Sequence, residues 1–241
     1  MIKTIQQLSN IDVVYIVKED ENNEELRYSL RSLDNLPHRK VFVVGYKPSW
    51  VKNVDHIPIT QSGQKYENVS HTGVFRTVCG NSNVSNDFIL MNDDFFIINK
   101  INNLPAYRRD HSIEYWIKHY KDSGSNGPYI KTMINTEVFL KQLGFSQIDS
   151  YELHVPMVYN KEKYLALRSM YPNNKSLQMR TLYGNFYHLG GKRIEDVKVF
   201  NGKMGFSKES SFLSSLDETF ENGEVGRFIR SLFPIKSDYE K

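Results

Sequence analysis

Residues 87–96 read Asp-Phe-Ile-Leu-Met-Asn-Asp-Asp-Phe-Phe: an apolar run breaks into Asn92-Asp93-Asp94 and resumes at once with Phe95, Phe96, Ile97 and Ile98. Adjacent carboxylates repel each other and resist removal from water unless something compensates. A hard divalent cation is the usual compensation, since Mg²⁺ or Mn²⁺ is commonly held by one or two carboxylates together with substrate phosphates. The triplet therefore suggests a metal–diphosphate site at the end of a buried strand. The alternative is an Asx-type turn whose acids face water. Apolar residues on both sides favour the site.

Other residue types could serve the same chemistry. Arg27 and Arg31 lie four apart in Glu25-Leu-Arg-Tyr-Ser-Leu-Arg-Ser32, a spacing at which two guanidinium groups can clamp phosphate oxygens. An exposed face paired with Glu24 and Asp34 would have the same spacing. His154, in Glu152-Leu-His-Val-Pro156, could act as general base on a hydroxyl, or be structural. Arg180 precedes the aromatic stretch Tyr183 to Tyr187 and is equally open. His111 and His119 have no third ligand beside them, which excludes a zinc site. The sequence has no phosphate-binding Walker loop, dinucleotide fingerprint, nucleophile elbow or kinase signature.

The elements that must position these residues follow from periodicity. Ile11 to Val17 and Val41 to Val44 are β-branched, nearly continuous apolar runs, as in strands covered on both faces. Between them, Leu26, Leu30 and Leu33 share one face of a helix over Glu24–Leu36. Strand, helix and strand within about 35 residues make a βαβ unit with a parallel sheet. A short extended piece at His56–Ile59, a helix over Tyr66–Cys79 and a third core strand at Phe88–Met91 follow. Three strand ends are polar: Lys18-Glu19-Asp20, Gly45-Tyr46-Lys47 and Asn92-Asp93-Asp94. In open α/β sheets ligands bind outside the carboxyl ends of the strands, so this convergence suggests a nucleotide-type ligand. Farther on the pattern predicts helices over Ile113–Tyr120, Thr136–Leu143, Lys161–Met170 and Asn173–Phe186, a loop over Asp122–Pro128, a small strand near Val197–Phe200 and a helical tail over Asp217–Leu232. The expected organisation is one domain, 1–241, with a donor- and metal-binding half (1–100) and a helix-rich, acceptor-side half (101–241).

Composition bounds the class. At 241 residues with 39% hydrophobic content the chain can bury an ample core, and its net charge of +3 is too small to argue nucleic-acid binding alone. A single cysteine, Cys79, excludes an intramolecular disulfide and any cysteine-rich zinc site. No apolar run is long enough to span a bilayer and Met1–Gln7 lacks a signal-peptide core, so a soluble, cytoplasmic protein is expected.

Four blocks in order, Ile-Asp-Val-Val-Tyr (11–15), Glu-Leu-Arg-Tyr-Ser-Leu-Arg-Ser (25–32), Phe-Ile-Leu-Met-Asn-Asp-Asp-Phe-Phe (88–96) and Leu-His-Val-Pro (153–156), resemble the Stealth family of capsular sugar-phosphate transferases. Leu232-Phe-Pro-Ile-Lys-Ser-Asp-Tyr-Glu240 is similar to that family's closing block. The resemblance implies a GT-A-like nucleotide-sugar fold. It also implies metal-dependent transfer of a sugar or sugar-1-phosphate from a nucleotide-sugar, UDP-linked, onto an acceptor hydroxyl of a glycan. Asp93 and Asp94 would hold Mg²⁺ or Mn²⁺. Arg27 and Arg31 would support the donor side, and His154, Asp94 and Arg180 would serve the reacting centre. Asn92, Lys65 and Asn68 are further donor-binding candidates, although Lys65-Tyr-Glu-Asn68 stands where the family often has a Phe-Asn/Ser-Ser block. Where many members have Trp-Val-Asp-Gly after the first strand, this chain has Val17-Lys18-Glu19-Asp20, leaving Glu19 or Asp20 as the counterpart acid. Two alternatives stand beside this expectation: transfer onto a modified base in DNA, and a sugar- or nucleotide-binding module without turnover.

Overall fold

The computed structural model describes residues 7–59, 75–170, 176–200 and 205–241. The apolar run after Ile11 forms strand β1 (Asp12–Val17), buried along its whole length. Helix α1 (Glu24–Ser32) follows, capped by Asn23, whose side-chain oxygen accepts from the Leu26 amide at 2.9 Å. Leu26, Leu30 and Leu33 are buried as their spacing requires, and the last turn tightens into a 3₁₀ segment at Leu33–Asn35. Strand β2 (Val41–Gly45) closes the βαβ unit and β3 (Asp55–Ile57) extends it. Gly45 ends β2 at φ 101°, a conformation that side chains other than glycine's rarely adopt. Of the expected helix over Tyr66–Cys79, residues 75–80 are helical (α2) and the rest lies outside the described residues. Strand β4 (Asp87–Asn92) then pairs with β1, with Val13 opposite Ile89.

The chain divides into two compact units, residues 1–104, 154–162 and 197–241 in the first and 105–153 and 163–196 in the second. The first unit is built on a five-stranded sheet of order β3-β2-β1-β4-β7, parallel except for β7 (Met157–Asn160), which runs antiparallel to β4. A second, three-stranded sheet places β5 (Phe95–Ile97) against β10 (Phe212–Ser215), with β9 (Lys198–Val199) on the far side. Helices α7 (Asp217–Glu221) and α8 (Glu224–Leu232) cover a small core of Phe96, Leu213, Phe220, Val225 and Ile229. The expected helical tail is thus broken at Asn222-Gly223, where a Cβ on Gly223 would lie 2.4 Å from the Thr219 carbonyl oxygen.

The second unit pairs β6 (Tyr107–Arg109) with β8 (Lys192–Ile194) and contains α3 (Ile113–Asp122), α4 (Pro128–Gln142) and α6 (Met179–Phe186). Helix α5 (Lys161–Arg168) follows β7 directly. Helix α4 begins earlier than its apolar pattern predicts because Pro128 occupies the first helical turn, where a missing amide costs nothing. Among the described residues no helix is long and apolar enough to cross a membrane.

Candidate functional site

The sheet order defines where a ligand belongs. From β1 the chain moves outward through β2 and β3, then returns to the opposite side of β1 as β4, so the connections diverge between β1 and β4. That divergence is the topological switch point, and the crevice beyond it is the common ligand position in such sheets. A cavity of about 610 Å³ lies there. Lys18, Glu19 and Asp20 reach it from the loop after β1, and Asn92, Asp93 and Asp94 from the end of β4. Two of the three strand ends singled out in the sequence therefore meet. The third does not line the cavity: the Tyr46 hydroxyl donates to Glu21 at 2.5 Å and Lys47 to the Val51 carbonyl at 3.2 Å.

The acids of this cavity are unequally supported. Asp93 accepts from the Asn23 amide group at 2.8 Å, and its carboxyl is pushed up to about 6 by burial and by the adjacent Asp94. Asp94 accepts from Lys198 Nζ at 2.8 Å and Ser214 Oγ at 3.1 Å, contacts supplied by β9 and β10. Glu25, in the first turn of α1, accepts from Ser215 Oγ at 2.5 Å. Burial, reinforced by Asp94, Asp93 and Asp217, nevertheless pushes its carboxyl up to about 8. Glu24, Asp217 and Glu221 line the same space. Such a concentration of acids, two of whose carboxyls are raised by burial and by neighbouring acids, favours whatever cation enters. Among the described residues no three of His, Cys, Asp and Glu converge as a ready-made metal group. The donor set offered by Asp93 and Asp94, hard oxygens on two carboxylates, suits a cation that takes further oxygens from a substrate.

The other residues expected at the site are placed as follows. His154 precedes β7 and meets the Phe95 ring edge-on at 6.1 Å between centroids. Continuing the Leu90–Met157 register brings it to the same end of the sheet as Asn92-Asp93-Asp94. Arg180 belongs to α6 of the second unit. Lys65 and Asn68 lie outside the described residues. Arg27 and Arg31 do not line the cavity. Arg31 grips Glu240 with two bonds of 2.7 and 2.8 Å and also donates to the Phe233 carbonyl, while Arg27 reaches Glu240 at 3.1 Å. Burial alone would raise the Glu240 carboxyl, but Arg31, the Ser237 amide and Arg27 together take it down to about 2. The two guanidinium groups thus clamp a carboxylate of the chain itself.

The serines of the same block have equally definite partners. Ser29 donates to the Phe95 carbonyl at 2.5 Å, and Ser32 accepts from the Ile97 amide at 3.1 Å, stitching α1 to β5. This fixes the direction in which the chain leaves Asp93-Asp94. Lys198, Glu25, Asn23 and Ser214 are the site residues that sequence reasoning passed over. A signal existed for Glu25: its neighbour one turn on is Ser29, so its own helix offers no cation there.

No protein-family model matches the chain, and no curated protein matches it at a significant level.

Proposed function

We propose that this chain is a metal-dependent transferase of GT-A type. In this reading it takes a nucleotide-sugar donor, UDP-linked, and moves a sugar or sugar-1-phosphate onto a hydroxyl of a glycan, as the Stealth family it resembles does. The observation that carries the proposal is the surplus of carboxylates at the β1/β4 switch point, where burial and neighbouring acids push the Asp93 and Glu25 carboxyls up. Asp93 and Asp94 would hold Mg²⁺ or Mn²⁺. Such a cation, when bound, would supply neutralising charge for the donor's diphosphate, whichever of its bonds breaks.

The chain's own residues do the rest. Asn23 orients Asp93 through its 2.8 Å bond, and Lys198 and Ser214 orient Asp94. Lys198 brings a positive charge to the donor's phosphates as well. His154, at the same end of the sheet, would take the acceptor hydroxyl's proton as that oxygen attacks. If the oxygen attacks phosphorus, a sugar-phosphate moves and a nucleoside monophosphate leaves. If it attacks the anomeric carbon, a sugar moves and a nucleoside diphosphate leaves. Arg180 enters this proposal through the resemblance alone.

A panel of nucleotide-sugars with Mg²⁺ or Mn²⁺, scored by thermal shift, tests it, because a true donor stabilises the folded state by mass action. One donor should raise the melting temperature only when the cation is present. The nucleotide released on turnover then separates the two transfers. A panel in which no donor or cation shifts the transition would overturn the proposal.

A further inference from the structure

Glu240 is 2% exposed, and the chain around it is bound into the first unit by more than its two arginines. Val51 and Glu240 form an antiparallel bridge, the Lys52 amide donates to the Tyr239 carbonyl at 2.9 Å, and the Lys241 amide donates to the Trp50 carbonyl at 2.9 Å. Asn53 adds a bond to the Asp238 carbonyl at 2.6 Å. Residues 238–241 are therefore laid along residues 50–53 like a short extra strand.

What residues 50–53 hold in turn leads to the cavity. The Trp50 ring stacks on Arg27, whose guanidinium carbon is 4.1 Å from the ring centroid, and Trp50 Nε1 donates to the Glu21 carbonyl at 2.8 Å. The Glu21 carboxylate accepts from the Ser49 amide at 3.0 Å and from the Tyr46 hydroxyl. Glu21 lies within the loop 18–23 that presents Lys18, Glu19, Asp20 and Asn23 to the cavity. Asn23 completes the sequence of contacts at Asp93. A chain of direct contacts thus runs from Glu240 through Arg27 and Trp50 to Glu21, and its loop ends on Asp93.

We propose that residues 238–241, acting through Trp50, are a positioning device that holds the loop 18–23 in its cavity-forming conformation. The idea rests on the cavity being the donor and metal site. Without the device the loop keeps its strand, its helix cap, the Glu21 carboxylate and the Asn23–Asp93 bond, but loses the anchor at the Glu21 carbonyl. Asp93 then loses a partner held at a defined angle. The test reads the loop itself.

The decisive variant is Trp50→Phe, which keeps a ring against Arg27 and removes the donor to Glu21. Amide exchange at Asn22 and Leu26, whose N–H groups bond Asp20 and Asn23, should quicken roughly five- to tenfold, the scale of one lost hydrogen bond. Mn²⁺ affinity, measured by calorimetry, should fall severalfold, with exchange in β1 and β4 unchanged. Where donor turnover is present, KM for the donor should rise more than kcat falls. Glu240→Gln should give a weaker version of the same pattern than Glu240→Ala. Unchanged exchange at Asn22 and Leu26 would overturn the proposal, as would a uniform rise across the sheet, which marks a purely structural role. Failure of the donor reading registers separately, as absent donor and cation binding in the unaltered protein.

Discussion

The two ends of the central sheet treat carboxylates in opposite ways. At the amino end of β1, Asp12 is fully buried, and Arg39 meets both its oxygens at 2.7 and 2.6 Å while the Ser85 amide adds a third bond. Burial would raise the Asp12 carboxyl, but these partners outweigh it and hold the group below its usual range. Glu240 is matched in the same way by two arginines. At the carboxyl end, Asp93, Asp94 and Glu25 stand close together with the Lys198 ammonium on one of them. Where a carboxylate serves the fold, the fold supplies its cation. Where the fold leaves the charge short, the missing cation is expected from outside.

The sharpest way to break this contrast is Asp94→Ala. On the proposed function it should lower cation-dependent donor turnover on the order of 10³-fold, as for loss of a main electrostatic group, with the thermal transition preserved. Retained turnover would remove the metal assignment. The matching experiment at the other end is Arg39→Ala, which leaves a buried carboxylate without its partner and should cost about 3 kcal/mol in urea unfolding, with donor binding unaltered.

Next in size is the pH dependence of stability, where the two kinds of site have opposite signs. Glu25 has a raised folded-state pKa, about 8, so its favourable contribution is complete below its ordinary value and is lost as pH rises through 8. Glu240 is lowered to about 2, so its contribution is present above its ordinary value and is lost as pH falls towards 2. Stability should therefore rise from pH 2 to 4.5 and decline from there to 8. Glu25→Gln should flatten the decline by on the order of 2 kcal/mol, a value discounted for solvent screening in an open cavity. A decline that persists unchanged in Glu25→Gln would refute this assignment. The smallest effect is at Lys198. Replacing it with Met removes a competing charge along with one of the two bonds that orient Asp94, and should tighten Mn²⁺ binding about threefold while weakening a nucleotide diphosphate; a loss of Mn²⁺ affinity would show that the orienting bond outweighs the repulsion.

Much of this contrast was legible in the sequence, and its limits have physical causes. Strands β1, β2 and β4 announce themselves because parallel strands covered on both faces must be nearly all apolar, as in Val-Val-Tyr-Ile-Val and Phe-Ile-Leu-Met. The acids at 93 and 94 stand out against that background for the same reason. Strand β7 was not legible: Met157-Val-Tyr-Asn160 is short, follows a proline and runs straight into α5. Strand β10 offers two apolar residues followed by two serines, of which Ser214 bonds Asp94. The partners that decide the roles of acids and arginines are remote. Glu240 lies 209 positions from Arg31 and Lys198 lies 104 from Asp94, and spacing along one helix carries no information about either. The four-residue spacing of Arg27 and Arg31 fits a phosphate clamp and a face paired with acids equally. The geometry suits any oxyanion, and the chain contains one.

The antiparallel strand β7 has a consequence for the chain's modularity. The segment that contains it, 154–162, lies in sequence between the two segments of the second unit, yet belongs to the first. The backbone of β4 beside it is satisfied by that pairing, from Asp87–Asn160 to Leu90–Met157. A deletion that excised 105–196 as a cassette would take β7 with it. It would bare the hydrogen-bonding edge of Phe88, Ile89 and Leu90, an apolar strand of the kind that recruits other chains into aggregates. The second unit therefore cannot be trimmed away in one cut: shortening this protein means keeping the nine residues that close its sheet.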